Sequence, residues 1–157
     1  MAVLFKQLDI KELEGFFATE ENCLQFLAEK KWEEGFVCKK CGNSNYCKGK
    51  TPHSRRCTRC KHEESATAHT IFHRCHIPIT EAFRIVYMVC HDPAVSTYEL
   101  SRKVELRQMT CWKLKSRLMD CLKSRGEVDI LFNEPKKQEI PVSKTVKSEN
   151  NLPKAVI

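Results

Sequence analysis

Two short cysteine pairs carry the clearest chemistry in this chain. Cys38-Lys39-Lys40-Cys41 is followed, after fifteen residues, by Cys57-Thr58-Arg59-Cys60. A two-residue gap lets one tight turn aim two sulfurs at a common point. Two such turns supply the tetrahedral four-thiolate shell that a d¹⁰ zinc ion accepts. Gly42, directly after the first pair, frees the backbone for that turn. A closed shell of four sulfurs leaves no position for water or substrate, so the expected cofactor is one structural zinc, and no residue is assigned a catalytic role. Cys47 and His62 lie close enough in sequence to substitute for a ligand, but the four paired cysteines already complete the shell. His69, His73, Cys75 and His76 form a second polar group, either a surface loop or a weaker ion site.

The elements around these cysteines follow from pattern and caps. Thr19 caps a helix over 20–31, with Glu20 and Glu21 in the first turn where the helix dipole favours anions. From Cys38 to about Thr67 helical period gives way to Gly42, Gly49, Pro52 and polar residues, which predicts short strands and turns with almost no core of their own. Thr80 is a candidate cap for a helix from Glu81 to about Cys90, ended by Asp92-Pro93. Ser96 with Glu99 reads as a capping box for a helix over 97–104. After the turn Glu105-Leu106-Arg107, a longer helix runs from Gln108 to Arg125 and stops at Gly126. Cys23, Cys90, Cys111 and Cys121 fall on apolar stripes and are expected in the core.

Composition bounds what such a chain can do. Its 157 residues are 41% hydrophobic and 30% charged, too little apolar content for the single large core that most metabolic enzymes carry. There is no apolar run near ~18 residues to cross a membrane, and the first residues lack the pattern of an export signal. A reducing cytoplasm is therefore expected, where clustered cysteines hold metal rather than disulfides. The net charge of +7 is uneven: residues 1–37 carry −4, 38–77 carry +7, 78–125 carry +4 and 126–157 carry zero. A positive middle suits a polyanion, because each Lys or Arg that neutralises a phosphate releases a condensed counterion.

Two helices joined by three residues, the second longer and basic, have the outline of a helix-turn-helix. At 100° per residue the last helix places Cys111, Leu114, Leu118, Cys121 and Leu122 on one side. Met109, Thr110, Lys113, Ser116, Arg117 and Ser124 fall on the other, where bases could be read. Lys115, Arg102 and Lys103 are candidate phosphate clamps, and Arg55, Arg56, Arg59 and Lys61 around the second cysteine pair could add backbone contacts.

The order Glu20-Glu21, Cys23, Leu27, Trp32, Gly35-Phe36-Val37-Cys38-x-x-Cys41-Gly42, Cys57-x-x-Cys60, Thr70-Ile71-Phe72-His73 and Ile77-Pro78-Ile79 resembles the N-terminal region of zinc-ribbon transposases of the insertion sequence 1595 family. Thr110-Cys111-Trp112 followed by Arg117 is similar to that family's recognition-helix pattern, so the resemblance spans residues 8–129. It implies a DNA-binding front end that recognises the terminal repeats of a mobile element. It also sets departures in view. Glu64 stands where the family places an aromatic, and His69 where it places glycine. Family members continue into a domain whose three acidic residues hold two metals for strand transfer. Asp129 matches the first of these acids, Ile130 replaces the acid that follows, and a Pro- and Lys-containing stretch comes next.

The expected architecture is α+β: an N-terminal helical segment (1–37), a zinc ribbon (38–77), a helix-turn-helix segment (78–126) and a flexible tail (127–157). The expected function is zinc-dependent binding of double-stranded DNA without catalysis, as a truncated or remnant transposase. A stand-alone regulator and a protein-interaction adaptor are the alternatives. No membrane or small-molecule substrate is expected as a partner, and a homo-oligomer or a separate catalytic domain stays open.

Overall fold

The computed structural model describes residues 2–129 and 131, and the predicted tail beyond them lies outside the described residues. The order of elements is α1 (Ala2–Gln7), α2 (Ile10–Phe16), α3 (Glu20–Lys31), β1 (Tyr46–Lys48), β2 (Arg55–Cys57), β3 (Glu63–Glu64), α4 (Ile79–His91), α5 (Thr97–Val104) and α6 (Gln108–Arg125). This is the α+β arrangement that the sequence predicts, with two helices more at the start. The second of these, α2, opens on a full capping box. The Asp9 side chain accepts from the Glu12 backbone, and the Asp9 N–H donates to Glu12 Oε2 at 2.9 Å.

Later helices begin and end where short polar side chains and glycine place them. Thr19 Oγ1 accepts from the Asn22 N–H at 3.2 Å and starts α3. Ser96 Oγ accepts from the Glu99 N–H at 3.0 Å and starts α5. The reciprocal half of that predicted box is not made, because the Glu99 carboxylate pairs with Lys103 Nζ at 2.8 Å one turn on. Gly126, at φ +74°, closes α6 with its N–H on the Leu122 carbonyl. α4 departs from expectation: it starts at Ile79 behind Pro78, with no side-chain cap, and Thr80 lies inside its first turn. Proline at the cap supplies a pre-set φ there.

The three strands form one antiparallel sheet in the order β1-β2-β3, with Tyr46 opposite Cys57, Lys48 opposite Arg55, and Arg56 opposite Glu63. The turn from β1 to β2 is organised by Glu63. Its Oε1 accepts from the Lys50 N–H at 2.8 Å, the Thr51 N–H at 3.3 Å and Ser54 Oγ at 2.8 Å. These bonds, the Ser54 hydroxyl first, hold its carboxyl below the usual range. Gly49 is required in this turn, since a Cβ would lie 2.0 Å from Ser54 Oγ.

Most of the core belongs to the helices. Phe83 on α4 is surrounded by the rings of Phe17 (4.7 Å between centroids), Phe72 (5.2 Å), Phe5 (5.9 Å) and Phe26 (6.1 Å). One side chain thus gathers α1, the loop before α3, α3 itself and the connector that leaves the ribbon. Cys23, Cys90, Cys111 and Cys121 are buried in this core, as their positions on apolar stripes predict. The ribbon has only a satellite cluster of Trp32, Phe36, Cys38 and Cys57.

Candidate metal centre and nucleic-acid interface

The two cysteine pairs fold as near-copies of one turn. The Gly42 N–H donates to the Cys38 carbonyl at 2.9 Å, and the Lys61 N–H donates to the Cys57 carbonyl at 3.1 Å. In turn the Cys38 N–H donates to the Asn43 carbonyl and the Cys57 N–H to the His62 carbonyl, at 3.0 and 2.9 Å. Both turns need a left-handed residue after the second cysteine. Glycine meets that need in the first (Gly42, φ +70°), and Lys61 adopts it in the second at φ +60°.

The geometry brings the sulfurs of Cys38, Cys41, Cys57 and Cys60 within 4.8 Å of one another. Cys38 and Cys60 Sγ are 3.5 Å apart, and Cys41 and Cys57 Sγ 3.6 Å apart. A tetrahedron with Zn–S bonds of about 2.3 Å places its sulfurs ~3.8 Å from each other, so the spacing fits one zinc ion. Asn43 Nδ2 donates to Cys57 Sγ at 3.5 Å. With the Cys60 backbone N–H, the larger influence, it holds the Cys57 thiol down to about 6. Donation to that sulfur favours the thiolate, the form that binds metal. Four protein sulfurs complete the shell, and the ion they hold is structural.

Residues 18–63 match the family described as the transposase zinc-ribbon domain. The likeness covers this segment, less than half of the chain. No curated protein and no solved structure matches the chain. The matched stretch takes in α3, all four ligands and the sheet as far as Glu63, while α4, α5 and α6 lie beyond it. No helix among the described residues is long and apolar enough to cross a membrane.

Outside the four ligands, the other metal candidates do not assemble. Cys47 is exposed on β1, with its Sγ 3.6 Å from the Arg56 carbonyl. Among the described residues, neither Cys47 nor His62 joins the sulfur cluster. The His69 and His73 rings stack at 5.5 Å, without Cys75 or His76 completing a metal-binding group. Burial first, helped by the neighbouring Arg74 and Arg117, lowers the His73 pKa. His69 itself has φ +58°, which explains why glycine suits the position.

The ribbon is fastened to the helices by a buried ion pair. Glu64, 2% exposed, meets Lys31 Nζ at 2.7 Å, and the same ammonium donates to the carbonyls of Ser65 (2.8 Å) and Ala68 (2.6 Å). Burial pulls the Lys31 pKa down, and Glu64 opposes it. A charge in place of an aromatic is accommodated because α3 supplies its partner.

The residues predicted to meet DNA divide into three groups. Met109, Lys113, Arg59, Lys61, Arg102 and Lys103 are exposed, although Lys103 shares its charge with Glu99. Arg56 is half-buried on β2, and Thr110 half-buried on α6. Three others, half-buried, also make contacts within the fold. The Arg55 guanidinium lies between the rings of Trp32 (4.5 Å) and Tyr46 (4.1 Å). Lys115 Nζ donates to the Val95 carbonyl at the turn before α5. Arg117 Nη1 donates to the carbonyls of His73 (2.7 Å) and Ile71 (3.3 Å).

The cause for Arg117 is that the connector after the ribbon packs along that flank of α6. The open face is therefore rotated toward Met109, Trp112, Lys113, Asp120 and Lys123, all exposed. Trp112, which follows Thr110 and Cys111 on this helix, is 52% exposed. Its position one turn after Met109 was the available signal.

Proposed function

We propose that the chain is the DNA-binding module of a transposase, recognising the ends of a mobile element and performing no strand chemistry itself. In this reading α5, the turn Glu105-Leu106-Arg107 and α6 act as a helix-turn-helix. Residues 78–126 and the zinc ribbon, 38–77, then grip one duplex together. Lys113 reads or clamps DNA from the open face of α6, and Arg102, Arg107, Arg59 and Lys61 neutralise phosphates. A separate catalytic domain would supply cleavage.

The observation that carries the reading is a four-sulfur centre in a segment that matches transposase zinc ribbons, followed in the chain by a helix pair whose exposed side is basic. The zinc keeps the ribbon's backbone fixed. Its positive side chains then meet phosphates without first losing the freedom of a loose chain.

Titration of the zinc-loaded chain against a labelled duplex from the element's terminal repeats, by fluorescence anisotropy, tests it. Contact with six or more phosphates gives a log–log salt slope of roughly −5, and Lys113→Ala costs about 1–3 kcal/mol of binding if that lysine contacts a base. A flat salt response would instead assign the chain to an adaptor with apolar contacts.

A further inference from the structure

α6 turns two large apolar side chains to solvent. Met109 is 63% exposed and Trp112 52%, and at i and i+3 they are neighbours on the helix surface. A hydrogen bond from Gln108 Nε2 to Thr97 Oγ1, 3.1 Å, draws the first turns of α5 and α6 together. Tyr98, 61% exposed, follows Thr97 at this same end. None of the three is needed by the core, whose side of α6 is filled by Cys111, Leu114, Leu118 and Cys121.

The rim of this apolar patch is positive. Arg102 places its guanidinium 5.9 Å from the centre of the Tyr98 ring, and Arg107 and Lys113 are exposed. The acids on these elements weigh less. Glu99 is tied to Lys103, Glu105 ends α5, and Asp120 stands two turns beyond Trp112. A second copy of the chain would bring like charges face to face, so the rim opposes self-association through this patch.

The matching surface must offer apolar groups between rows of negative charge. The major groove of duplex DNA has this form, and its one apolar feature at the base edges is the C5-methyl of thymine. We infer that Met109 and Trp112 read thymine methyl groups, so that the first two turns of α6 select a thymine-containing step. The inference rests on the DNA-binding reading above and adds to it the chemical group that is recognised.

Replacing thymine by deoxyuridine removes that methyl and leaves the hydrogen-bonding edge intact. The full zinc-loaded chain is first used to select its preferred duplex from a random library, and then titrated against that duplex with single deoxyuridine substitutions. Each single replacement within the read step is expected to weaken binding about fourfold, the weight of one buried methyl group. Substitution elsewhere leaves affinity unchanged. Met109→Ala and Trp112→Ala should each bind more weakly, lose part of this sensitivity and keep the salt slope, because neither removes a phosphate contact. Trp112→Phe should restore it in part.

A chain that binds DNA with a steep salt slope yet ignores every deoxyuridine overturns the methyl reading and leaves the DNA reading standing. No salt-dependent binding overturns both. A dimer in sedimentation that Trp112→Ala disperses, together with indifference to deoxyuridine, would assign the patch to contact between copies instead.

Discussion

The ribbon and the helical body of this chain are ordered by different means. The ribbon has strands of three, three and two residues and a cluster of four buried hydrophobic side chains, two of which are metal ligands. Such a cluster buries too little apolar surface to offset the entropy of ordering its turns, and the zinc–thiolate bonds make up the difference. The helical body needs no such device. Its continuous core runs from Phe5 to Val128, with Phe83 enclosed by four other aromatic rings. The comparison teaches that two stabilities coexist here, one dependent on metal and one on packing, joined where Lys31 meets Glu64.

Removing a ligand should separate the two most widely. Structural zinc sites contribute on the order of 10 kcal/mol, so Cys57→Ser is expected to release the ion and unfold residues 38–64. Amide exchange in α4 and α6 should stay protected. Retained zinc by elemental analysis would break the comparison at its root. Phe83→Ala is the converse change. It should cost the helical body about 3–5 kcal/mol in urea denaturation while the sulfurs keep their metal, and equal loss of zinc would show that the two regions unfold as one.

The join itself comes next. Lys31→Met leaves the Glu64 carboxylate buried without its cation, a loss of about 3 kcal/mol, and adding Glu64→Leu should return most of it. A double variant no more stable than the single one would contradict this account of the pair. The smallest effect expected is at a cap: Ser96→Ala should cost about 1 kcal/mol by loosening α5, with zinc content unchanged. A shift of melting temperature well beyond that would give Ser96 some further role.

Much of this was legible in the sequence because it is local. The spacing of four cysteines gives the metal centre, and Thr19, Ser96 and Gly126 fix helix ends through bonds to residues three or four positions away. The capping box of Asp9 and Glu12 was equally readable, but only seven residues follow before the helix ends, too few for an apolar period to stand out. What could not be read was where distant segments land. The partner of Glu64 lies on α3, and the face that α6 leaves open depends on the connector whose carbonyls take the Arg117 guanidinium. A helical wheel identifies a buried side, but not which flank of the remainder a neighbouring turn will cover.

Lys31 and Arg117 both anchor the stretch between Ser65 and His73, one from α3 and the other from α6. The two halves of the molecule are thereby fastened to one shared connector. On the DNA-binding reading proposed above, a duplex of 10–10.5 base pairs per turn would meet two footprints joined through one connector. Five pairs inserted between the two would swing one footprint to the far side of the helix, out of reach.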